Sequence, residues 1–81
     1  MTNATRTHLL RILRALSRVP QCDKEILFET VALMGTTQRG DFELALSEAQ
    51  AEQLAIGITG TLGVSRWSLT DLGKATLAQF S

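Results

Sequence analysis

The chain has 81 residues, 44% of them hydrophobic and 20% charged, with eight basic and eight acidic side chains and a formal net charge of +0. This length allows one domain, burying only about 60–65% of the unfolded chain's surface, and the apolar content excludes a disordered chain. The single cysteine, Cys22, cannot form an internal disulfide, no apolar run approaches the ~20 residues that cross a bilayer, and the expected setting is cytoplasmic.

The first helix is expected over 5–18. Leu9, Ile12, Leu13 and Leu16 fall on one side at helical spacing, with Arg11, Arg14 and Arg18 opposite. The same Arg- and Thr-rich, acid-free start would suit a mitochondrial transit peptide, but amphipathicity alone explains it. Val19-Pro20 ends the helix, because the residue before proline is pushed out of helical geometry, and Gln21 and Cys22 read as a turn. Asp23 is an N-cap for a second helix over 23–34, stopped at Gly35, with Ile26, Leu27, Val31 and Met34 as its core face. Phe28 and Ala32 widen that face until only a strip around Glu25 and Glu29 stays polar, so part of the helix is expected to be covered by a partner.

Residues 35–40 (GTTQRG) read as a polar loop. A third helix follows over 41–53, with Phe42, Ala45, Leu46 and Ala49 inward and Glu43, Leu44, Ser47 and Gln50 outward. Phe42, Leu44 and Leu46 also alternate like a strand, and Ser47-x-x-Gln50 resembles a capping box; a helix from Asp41 leaves 54–59 (LAIGIT) free to be a strand. Its antiparallel partner is 64–70, across the turn Gly60-Thr61-Leu62-Gly63. Gly57, Gly60 and Gly63 are not followed by Gly-Lys-Ser/Thr, so they make no phosphate loop. Within 64–70, Trp67 and Leu69 alternate with Arg66 and Ser68, placing the tryptophan on the core face. Thr70 and Asp71 then open a last helix over 71–80.

An aromatic, a polar residue, Leu69-Thr70-x-x-Gly73 and a small-residue helix resemble the last wing strand and closing helix of winged helix-turn-helix domains. The order helix, helix, helix, hairpin, short helix is similar to that of small bacterial and phage winged-helix regulators, of the multiple-antibiotic-resistance and phenolic-acid-repressor types. The fold class expected is therefore mainly α with a small antiparallel β-hairpin (α+β). An all-helical bundle, with 47–62 as one helix, is the alternative.

Charge is unevenly spread. Residues 1–22 hold Arg6, Arg11, Arg14 and Arg18 and no acid, while residues 41–53 hold Asp41, Glu43, Glu48 and Glu52 and no base. The resemblance implies that the third helix enters a DNA groove, where Arg, Lys, Asn or Gln normally meet bases and phosphates. A helix with four carboxylates is repelled there. The sequence thus points to a non-enzymatic protein-binding module, an accessory, adaptor or inhibitor, using Glu43, Leu44, Ser47, Glu48, Gln50 and Phe28, with a protein partner or a second copy. The alternative is a DNA-binding regulator using Arg6, Arg11, Arg14, Arg18, Gln50 and Arg66. One His, one Cys and no Tyr offer little for acid–base or nucleophilic work or for metal ligation, so no catalytic, cofactor or metal residue, small-molecule substrate or membrane contact is expected.

Overall fold

In a computed structural model of the chain, which describes residues 3–60 and 65–80, four helices pack with a small three-stranded antiparallel sheet. The elements run α1 (Asn3–Arg18), β1 (Cys22–Asp23), α2 (Lys24–Met34), α3 (Arg39–Ala51), β2 (Ala55–Thr59), β3 (Ser65–Leu69) and α4 (Asp71–Phe80). The α+β class holds, and β2 rules out a continuous helix over 47–62. The turn residues Thr61 to Gly63, and Val64 at the expected strand start, lie outside the described residues. Among the described residues, no helix is long and apolar enough to cross a membrane.

The core is built from the faces that helical spacing marked. Ile12, Leu13, Leu16, Leu27, Val31 and Phe42 are fully buried, with Leu9, Ala45, Leu46 and Ala49 around them. Phe42 meets Phe28 edge-on, with ring centroids 5.1 Å apart, an arrangement that adds to the burial of both rings. This contact sets the rotation of α2 and corrects one expectation. Ile26 is 44% exposed rather than core, because α2 is turned to bring Phe28 inward with Leu27 and Val31, which carries Ile26 and Leu33 to the far side.

Two further expectations change. Gln21 lies in the expected turn, but Cys22 does not: with Asp23 it forms β1, pairing Cys22 with Trp67 and Asp23 with Arg66, so the sheet is not a bare hairpin; its order is β1-β3-β2. A two-residue strand has no periodicity to read, and only β3 opposite makes it one. The third helix begins at Arg39, not Asp41, which moves Arg39 out of the loop: the Phe42 N–H already donates to the Gln38 carbonyl at 2.9 Å.

The caps behave as the sequence suggests. The Asp23 carboxylate accepts from the Ile26 N–H at 2.8 Å, satisfying one of the amides a helix start leaves unpaired. Gly35 ends α2 in extended geometry. The Arg11 guanidinium lies 2.7 Å from where a Cβ on Gly35 would stand, so the arginine side chain rests against the end of α2. Arg11 is consequently half-buried, not on an open arginine face with Arg14 and Arg18.

The Leu69-Thr70-x-x-Gly73 stretch is a three-way junction. The Thr70 hydroxyl accepts from the Gly73 N–H at 3.0 Å, capping α4, and donates to the Gln53 carbonyl at 2.6 Å. The Thr70 N–H donates to the Leu54 carbonyl at 3.1 Å. Gly73 is the buried residue of α4, and a methyl added there would run into the Leu54 carbonyl oxygen and lie 2.9 Å from Leu69 Cδ1. One threonine and one glycine thus join the end of α3, the start of β2 and the start of α4.

Candidate functional site

The six residues expected to bind a partner do not form one surface. Two, Phe28 and Glu43, are engaged by contacts within the molecule. Arg39 at the start of α3 reaches across to α2 and forms a two-pronged ion pair with Glu25, its Nη1 donating to Oε2 at 2.9 Å. The same guanidinium lies 4.9 Å over the Phe28 ring, a favourable cation–π position. Glu43, one turn further along α3, accepts from Lys24 Nζ at 2.5 Å and lies 3.7 Å from Arg39 Nε. Phe28 is therefore roofed by Arg39, and Glu43 is held by two cations.

This cluster shifts its own titrations. The Arg39 hydrogen bonds hold the Glu25 carboxyl below its ordinary value, and the Lys24 hydrogen bond does the same for Glu43. The Glu25 carboxylate in turn raises Arg39. All of these groups are at the surface, where solvent screens such pairs.

Leu44, Ser47 and Glu48 are what remains outward on α3. Leu44 is 54% exposed. Ser47 is exposed and Glu48 half-exposed. Gly40 and Ala51 share this side at helical spacing and are exposed, so Leu44 projects from a face of otherwise small side chains. Asp41, Glu48 and Glu52 run along one edge of that face at seven- and four-residue spacing, and none forms an ion pair among the described residues. Gln50 is turned away. It lines a cleft of about 460 Å³ with Gln53, Ile56, Thr70, Asp71 and Leu72, at the start of α4.

The arginines of the alternative reading are likewise dispersed. Arg14 and Arg18 are exposed on α1 and form no ion pair among the described residues. Arg11 is half-buried against Gly35. Arg6 lies 4.9 Å over the Phe80 ring, at the rim of a cleft of about 530 Å³ between α1 and α4 that Leu9, Leu10, Leu54 and Glu52 also line. Arg66 is on β3, on the far side of the sheet from the Trp67 ring, between Asp23 and Ile58 in register.

Trp67 is half-buried and packs on the core as its alternation suggests, its ring 3.2 Å from where a Gly57 Cβ would be. Cys22 is buried beside it in register, and burial pushes the thiol above its ordinary value, away from the thiolate that reacts. His8 is half-buried on α1, and its Nδ1 has no hydrogen-bond partner. Among the described residues, no group of three or more His, Cys, Asp or Glu side chains is placed to hold a metal ion.

Sequence reasoning missed several exposed apolar side chains: Leu33 at 89%, Ile26 at 44% and Leu72 at 53%, with Ile56 and Ile58 on β2 at 47% and 57%. Leu33 was legible in principle, since stepping 100° per residue from Leu27 and Val31 sends it to the opposite side of α2. Ile56 and Ile58 follow from the period-two rule once Trp67 and Leu69 are known to face inward.

Compared with family profiles, curated proteins and solved structures, the sequence matches none.

Proposed function

We propose that this chain is a non-enzymatic, winged-helix-like module that binds another protein through the outward face of α3. The element order supports the winged-helix reading: α2 and α3 are consecutive helices joined by residues 35–38, and a β2–β3 hairpin and a closing helix follow. Such a module is a small accessory, adaptor or inhibitor, of bacterial or phage type.

One observation carries the binding reading. The outward face of α3 presents Leu44, 54% exposed, beside the carboxylates of Asp41 and Glu48, while the one cation of that helix, Arg39, is spent on Glu25 and Glu43. A half-exposed leucine among small residues and unpaired acids suits a basic, apolar-centred protein surface, with the leucine as anchor. A duplex is the wrong partner for this face, because phosphate contacts need cations.

The DNA reading rests on Arg14 and Arg18, and both readings meet in one experiment. Labelled duplex of mixed sequence is titrated with the protein at low and at physiological salt. The expected result is no retardation at either. Salt-sensitive retardation that disappears in an Arg14→Ala/Arg18→Ala variant would replace the α3 reading with DNA binding through α1.

A further inference from the structure

β2 forms one edge of the sheet, and the phase of its ladder is fixed. The Thr70 N–H donates to the Leu54 carbonyl at 3.1 Å, so the pairs two and four residues along, Ile56 with Ser68 and Ile58 with Arg66, are the hydrogen-bonded ones. Ala55, Gly57 and Thr59 then turn their N–H and C=O groups away from β3, and no further strand meets them among the described residues. Natural edges are usually blunted by a charge, a proline or a bulge. β2 (AIGIT) has no charge and no proline, and its pairing with β3 runs one to one from Ala55 to Thr59. Its outer face instead carries Ile56 and Ile58 as neighbours, both about half-exposed.

We infer that β2 pairs antiparallel with β2 of a second copy of this chain, about a two-fold axis through Gly57. Unpaired backbone groups in this spacing call for a strand as occupant. Ile56-Gly57-Ile58 reads the same in both directions, so the two-fold sets Ile56 of each copy against Ile58 of the other, in the closer, non-hydrogen-bonded kind of pair. Gly57 meets its own counterpart through backbone hydrogen bonds, and Ala55 meets Thr59. All four isoleucines then form one cluster on the outer face.

Charge favours this occupant. Arg66 flanks Ile58 on β3, and Asp71 lines the cleft beside Ile56. The two-fold that brings Ile58 to Ile56 also puts Arg66 of one copy on the flank that carries Asp71 of the other, with the two β2 strands between them, so opposite charges add a longer-range attraction at both ends of the paired strands. A single short strand pair and four isoleucines make a small interface beside the ~1,200–2,000 Å² of stable complexes, so the dimer is weak and concentration-dependent. It leaves the outward face of α3 free and does not rest on the role proposed for that face.

The test is sedimentation velocity of the full chain over a wide concentration range, with two sets of variants. The wild type is expected to pass from monomer to dimer. Ile58→Lys, at an exposed position that leaves the core intact, weakens association by more than about tenfold, whereas Leu44→Asp on α3 leaves it unchanged. The register is tested by oxidising an Ile56→Cys/Ile58→Cys variant: an interchain disulfide forms, since opposed Cα atoms in such pairs lie about 4.5 Å apart. Ile56→Cys alone cross-links poorly, because it has no cysteine opposite. A monomer at every concentration, a dimer indifferent to Ile58→Lys, or equal cross-linking by the single and double variants would overturn the inference.

Discussion

The two ends of α3 are tied to the rest of the molecule by opposite kinds of chemistry. At its start, Arg39 and Glu43 meet Glu25 and Lys24 in a surface network of full charges. At its end, Gln53 and Leu54 meet Thr70 and Gly73 through neutral hydrogen bonds and one close backbone approach. The charged end is the more conspicuous in the sequence. Yet exposed pairs contribute little after side-chain ordering and screening, while a small buried glycine with no room beside it leaves no cheap alternative. The difference teaches that α3 is anchored from its C-terminal end and only steered at its N-terminal end.

The neutral end of α3 is most vulnerable at Gly73. Gly73→Ala forces a methyl into the Leu54 carbonyl, and is expected to cost about 2–3 kcal/mol, roughly 10–20 °C in melting temperature for a chain this size. Calorimetry checks it; a change within error would mean that α4 slides freely past α3. Thr70→Val keeps the shape but removes the cap of α4 and leaves the Gln53 carbonyl without its donor. About 1–2 kcal/mol is expected in denaturant titrations, with most of it regained in Thr70→Ser.

Much of this fold was legible beforehand, and the junction explains why. Thr70 and Gly73 carry local rules, a cap and a small residue at a fixed offset, and the core faces of α1 and α3 follow from spacing alone. The strand β1 was not legible, because Cys22 and Asp23 become a strand only when Trp67 and Arg66 lie opposite. The rotation of α2 depends on Phe28 meeting Phe42, a contact between helices that single-helix periodicity does not contain, and Ile26 was misplaced for that reason. The candidate site was the least legible part. The sequence showed four acids over 41–53, but which stay unpaired depends on Arg39 and on Lys24 reaching across from α2, and Glu43, though still at the surface, is held by both.

The charged end yields smaller effects with a distinctive signature. Glu25 and Glu43 titrate lower in the folded chain than the ordinary 4.5, so their contribution is present above that value and is lost as pH falls through the folded values. Melting temperature should therefore decline on acidification through this range. The decline should be shallower in Glu25→Gln and in high salt, which screens exposed pairs. Gly73→Ala should shift the whole curve down without changing its shape. A salt-insensitive acid limb would remove the surface network from the account. Smallest of all is Leu44→Asp, expected to leave the melting temperature within error, because the side chain is 54% exposed; a large loss would make Leu44 structural rather than a contact residue.

The proposed function rests on the outward face of α3 meeting a protein. The most direct measurement places a photo-cross-linking residue at position 44, and in a control at exposed Leu33 on α2, and irradiates each in extract of the native host. One discrete protein adduct is expected from position 44, lost when Glu48→Arg is added, and none from position 33. Adducts from position 33 alone, or adducts from position 44 indifferent to Glu48→Arg, would contradict it and move the binding face away from α3.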